Sequence, residues 1–116
     1  MTEISDLEAL AFLGKISKEV NVIKGYVFKM HSLNALENAQ VIKRTEESID
    51  GAVKYDIIQR YTLIYAIDEI NNKTLNIVEK EKTINSMQAT LILQLYKAYL
   101  DLLEESEAAL NQIKKN

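Results

Sequence analysis

No cysteine and no proline occur among the 116 residues, and only three glycines do. Without cysteine there are no disulfides, no thiolate metal sites and no cysteine nucleophile. Three isolated glycines exclude the Gly-x-Gly-x-x-Gly fingerprint, a Walker-type phosphate loop and a serine-centred nucleophile elbow. The lack of proline removes the residue that most strongly interrupts a helix, so long uninterrupted helices are permitted. A basic surplus is missing too: net charge is −3 and the pI about 5.2, which disfavours a nucleic-acid surface. The most apolar segment, TLILQLYKAYLDLL (90–103), is broken by Gln94, Lys97 and Asp101 and falls short of the ~20 apolar residues of a membrane span. The start, MTEISDLEAL, is acidic and polar rather than basic and then apolar, so no secretory signal is expected. The composition predicts a cytosolic, soluble chain.

What is present is apolar material for one core, 47% of residues with a mean hydropathy of −0.13. Ser5 and Glu8 have capping-box spacing, and Leu7, Leu10, Phe12, Leu13 and Ile16 follow at helical intervals. A helix is predicted over about 6–18. VNVIKGYVFKM (20–30) is rich in β-branched and aromatic residues around Lys24-Gly25, which predicts a hairpin of Val20–Ile23 and Tyr26–Met30. An isolated hairpin is marginal in water, so this one must pack on helices or pair with another chain. Asn34 with Glu37 predicts a second helix start, running to about Arg44, followed by a polar break at TEESIDG (45–51).

From about Ala52 the 3.6-residue period predicts a long central helix marked by Val53, Ile57, Tyr61, Ile64, Ile67 and Ile70, stopping at Asn71-Asn72. NKTLNIVEKEK (72–82) reads as a charged linker. From Thr83 a last helix runs almost to the end, with Ile84, Met87, Leu91, Leu95, Ala98, Leu102, Ala109 and Ile113 on one face. Ile92, Tyr96, Tyr99 and Leu103 widen that face. The expected fold is mainly α: a helical domain over 1–82 with a short hairpin near 20–30, and a long C-terminal helix over 83–116 that packs on it and partly projects.

No constellation for catalysis, cofactor or metal emerges. A lone histidine, His31, without cysteine or Glu-x-x-His spacing builds neither a zinc nor a di-iron site, and reads as structural or solvent-facing. The neighbouring acids Glu46-Glu47, Asp68-Glu69 and Glu104-Glu105 point in different directions on helices and read as solvated faces. Tyr61 with Tyr65, and Tyr96 with Tyr99, fit either boundary packing or a protein-binding surface.

Three stretches taken in order, FLGKISKEV, then GYVFKMHSLNALENAQVIKRTE, then YTLIYAIDEINNKTL after a break with DG, carry a family resemblance. The chain resembles the small tail assembly chaperones and baseplate-hub proteins of long-tailed bacteriophages, in which a hairpin leads into an sLn..E helix start. A long helix then ends in an a.aI..ING..l motif, matched by Tyr65-Ala66-Ile67-Asp68-Glu69-Ile70-Asn71-Asn72 with Asn72 where glycine is commonest. The resemblance covers somewhat over half the chain. It implies a non-enzymatic helical adaptor, without cofactor, that binds other phage morphogenetic proteins in the host cytoplasm during assembly. The alternatives are a component retained in the virion tail or baseplate and a small immunity- or antitoxin-like regulator. Protein contact is expected at the hairpin edge, through Val22, Tyr26 and Phe28, and on the last helix, through Ile92, Tyr96, Tyr99 and Leu103. A homo-oligomer is open; membrane and nucleic acid are not expected partners.

Overall fold

The computed structural model describes residues 3–47 and 51–114. In chain order these form α1 (Glu3–Leu10), β1 (Ser17–Ile23), β2 (Tyr26–His31), α2 (Ala35–Glu46), α3 (Gly51–Ala66), β3 (Ile67–Ile70), β4 (Lys73–Thr74), α4 (Ile77–Asn85) and α5 (Ala89–Lys114). The fold is mostly helical, with the expected long C-terminal helix, around one antiparallel sheet in the order β1-β2-β3-β4.

The hairpin forms where Lys24-Gly25 predicts it, with Gly25 at φ 92°. β1 starts earlier than expected because Ser17, Lys18 and Glu19 pair with His31, Met30 and Lys29. That pairing overrides the helical pattern, so the first helix ends at Leu10 and not near residue 18. Its first residue, Glu3, also precedes the expected cap Ser5. The apolar stripe expected to bury this helix does not: Leu7 and Phe12 are each 65% exposed, and Leu10 and Leu13 are exposed as well. Gly14, at φ 80°, closes the turn after α1 and lies against α5, where an added Cβ would stand 2.7 Å from Leu110 Cγ.

α2 begins as predicted. The Asn34 side chain accepts from the Glu37 N–H at 2.8 Å, and the Glu37 carboxylate accepts from the Asn34 N–H at 3.0 Å. Of the polar break, residues 45–47 continue or end α2, and 48–50 lie outside the described residues.

The central helix is shorter than its period suggests. α3 ends at Ala66, and Ile67–Ile70 continue as β3, pairing Met30 with Ile67, Lys29 with Glu69 and Phe28 with Ile70. Asn71 and Asn72, at φ 50° and 66°, are not a helix stop but the two-residue turn joining β3 to β4. Positive φ at both central residues is what such hairpin turns require, and asparagine tolerates it. The Asn71 side chain also accepts from the Val27 N–H at 2.8 Å and donates to the Gly25 carbonyl at 3.3 Å, fastening one hairpin to the other.

The expected linker at 72–82 contains β4 and most of α4, which is capped by a second reciprocal pair, Asn76 and Glu79. The last helix accordingly starts at Ala89, and Ile84 belongs to α4.

One face of the sheet carries Val20, Phe28, Met30 and Ile67 into the core, where Leu63, Ile64, Ile84, Leu95 and Leu102 meet them. The other face is polar, with Glu19, Lys29 and Glu69 side by side across three strands and Lys29 3.7 Å from Glu69. This alternation is what a sheet covered on one side only demands. The hairpin's partner is thus its own chain.

Asn71→Ala should lower stability by about 2 kcal/mol, one part from the lost hydrogen bonds and one from placing alanine, which tolerates positive φ less well than asparagine, at this position. Asn72→Gly should be neutral or stabilising. Urea unfolding of the two variants checks both, and an unchanged midpoint for Asn71→Ala would contradict the role given to this side chain.

Candidate protein-binding groove

α2 packs on α3, and the Arg44 guanidinium lies 5.2 Å from the centre of the Tyr61 ring across that contact. α5 packs on α3 and β1 through Ile92, Leu95, Tyr99 and Leu102. Because α2 and α5 lean on different parts of α3, a groove of about 600 Å³ opens between them. Ala35, Asn38, Ile42 and Thr45 line its α2 wall, Tyr96, Leu100 and Leu103 its α5 wall, and Ile58 and Thr62 its α3 floor. Ile42, Leu100 and Leu103 are exposed. At the end nearest the sheet, the Tyr99 hydroxyl accepts from the Leu33 N–H at 3.2 Å, which ties the β2–α2 connection to α5.

Burial raises the phenol pKa of Tyr99; the Leu33 N–H pulls it back in part, and Tyr96 and Glu37 push it up further. Burial, then Tyr55, raises that of Tyr96. Both phenols are neutral hydrogen-bonding groups on an otherwise apolar wall.

The seven contact residues expected from sequence do not form one surface. Phe28, Ile92 and Tyr99 are in the core, at 5% exposure or less. Val22 is half-buried against that core, while Tyr26 is exposed at the hairpin turn. Tyr96, Tyr99 and Leu103 line the groove, Tyr99 from a position that is otherwise in the core. The groove residues of α2 do not stand out in the sequence, since Ala35, Asn38 and Thr45 are too small or polar to mark an apolar stripe. Their spacing of three, four and three, with Ile42, was the available signal.

His31 is structural. Its Nδ1 lies 2.9 and 3.0 Å from the Asp68 carboxylate oxygens, and its Nε2 2.9 and 3.1 Å from those of Glu37. It thereby joins β2, β3 and α2, and can donate to both acids only when both nitrogens carry a proton. With both nitrogens occupied, the ring has none left for a metal. Among the described residues no group of three or more His, Cys, Asp or Glu is arranged to hold one.

No family model, curated protein or solved structure matches this chain. Among the described residues no helix is long and apolar enough to cross a membrane.

The phenols make the groove wall sensitive to alkali. A tyrosine whose folded pKa is raised keeps its proton longer than the unfolded chain does, so its stabilisation is complete below about pH 10 and is lost as pH climbs further. Tyr99→Phe should cost about 1–3 kcal/mol at neutral pH by orphaning the Leu33 N–H. Tyr96→Phe/Tyr99→Phe should flatten the decline above pH 10, measured by urea midpoints from pH 7 to 11.

Proposed function

We propose that this protein is a non-enzymatic adaptor of bacteriophage tail or baseplate assembly, acting by protein–protein contact. The observation that carries the reading is the groove between α2 and α5. It is open, mainly apolar with Glu46 and Lys54 among its lining residues, walled by two helices and floored by a third, which suits an amphipathic helix laid along it. Exposed apolar residues concentrated on one surface are the ordinary mark of an interaction site.

A second apolar surface lies on α1 and the turn after it, where Leu7, Leu10, Phe12 and Leu13 are exposed. An adaptor needs two such surfaces, one for each component it connects. The tail setting comes from the resemblance of residues 12–75 to small phage tail-morphogenesis proteins. In that setting the chain is in the host cytoplasm during assembly and binds other tail proteins.

Deleting the gene from a phage that carries it should leave tails missing or malformed under the electron microscope, with rescue by the gene supplied on a plasmid. Normal infectious tails after deletion would overturn the proposal. Mass spectrometry of purified particles separates the two forms of the reading: absence from the particle is expected for an assembly adaptor, and stoichiometric copies would make it a virion component.

A further inference from the structure

α5 carries two apolar stripes, each stepping by three and four residues. The first, Ile92, Leu95, Tyr99 and Leu102, is buried against the rest of the chain. The second lies one position on: Leu93, Tyr96, Leu100, Leu103, Glu107 and Leu110. Its four leucines are each 37–43% exposed. A strict three-four repeat has a period of 3.5 residues, the spacing of a seam that receives another helix along its length. From Leu93 to Leu110 this seam is about 25 Å long. Tyr96, Leu100 and Leu103 of this seam line the groove, and Leu110 lies beyond it against Gly14; across the groove, Ala35, Asn38, Ile42 and Thr45 keep the same spacing.

The seam is also complementary to itself when reversed. About a point between residues 101 and 102, Leu93 falls opposite Leu110, Leu100 opposite Leu103, and Tyr96 opposite Glu107. The one charged residue in the seam would then meet a phenol that can donate to it. A parallel pairing would instead set Glu107 against Glu107. The solvent-side flank has the same symmetry. Lys97 and Glu104 are exposed there, and neither has an ion-pair partner among the described residues. Reversal brings each beside its opposite in the second copy.

From this self-complementarity we propose that the occupant of the groove is α5 of a second copy of this chain, packed antiparallel across a two-fold axis. The proposal rests on the reading of the groove as a helix-binding site and names the helix. An isologous contact of this kind closes at two copies.

Sedimentation equilibrium of the full chain at about 100 μM should give close to twice the monomer mass, a concentration at which a dimer of micromolar Kd is about nine-tenths formed. Leu100→Glu/Leu103→Glu should give a monomer with unchanged helical circular dichroism. Lys97→Glu and Glu104→Lys should each weaken association several-fold, and the pair combined should restore it. Because the chain has no cysteine, a spin label on Asn111→Cys reports orientation. Antiparallel α5 helices should place the two labels about 30 Å apart, parallel ones about 10 Å. A monomeric wild type, a dimer indifferent to the Leu100/Leu103 change, or the short label distance would each overturn the proposal. A monomer would leave the adaptor reading standing, whereas normal tails after gene deletion would remove that reading and leave the dimer.

Discussion

β2 is paired on both edges, and most of the architecture follows from satisfying it. A buried strand must find partners for its N–H and C=O groups along its length. β1 meets one edge through a local turn. β3 meets the other from about forty residues further along, so the chain between them has to leave the sheet and return. α2 and α3 are that excursion. Phe28 and Met30 of β2 point into the core, and β3 brings Ile67 to lie beside Met30. The ladder and the core therefore form together, and neither hairpin alone would be expected to persist.

Polar groups at the ends of this arrangement hold its parts in register. Asn71 bonds back to Val27 and Gly25, so the turn of the second hairpin clasps the turn of the first. His31 stands between Asp68 and Glu37, so the last residue of β2 fastens both β3 and the first turn of α2. Glu37 in turn caps α2. The start of α2 is fixed relative to the sheet, and Tyr99 fixes it relative to α5. Those constraints set the distance between α2 and α5, which is the width of the groove. A binding surface built on fastened helices presents its residues at a defined spacing, as a helix partner requires.

Signals confined to a few neighbouring residues were legible without the fold. Asn34 with Glu37 marked a helix start, and Lys24-Gly25 within β-branched flanks marked a turn, because capping and turn chemistry act over two to four residues. The long last helix was legible from its period and the absence of proline. The end of α3 was not. Ile67 and Ile70 continue the helical spacing of Ile57, Tyr61 and Ile64, and nothing local distinguishes the strand until β2 is in place beside it. Asn71-Asn72 looked like a helix stop because asparagine suits the left-handed conformation in both settings. The capped start at Asn76 was as readable as that at Asn34, yet the charged run after it resembled a linker.

By itself, then, the sequence determined the helical character, the hairpin, the lack of any thiol, phosphate-loop or metal chemistry of recognised spacing, and the three-four stripes of α5. Each depends on residue type and short spacing. Only the tertiary structure decided which stripe is covered. Ile92 and Leu95 are buried and Leu93 and Leu100 exposed, although all four are equally apolar. Which way α5 turns depends on where α3 and β1 stand, and β1 is placed by a ladder that spans the chain. The groove has the same origin, since its two walls are separated by some fifty residues and meet only because β3 closes on β2.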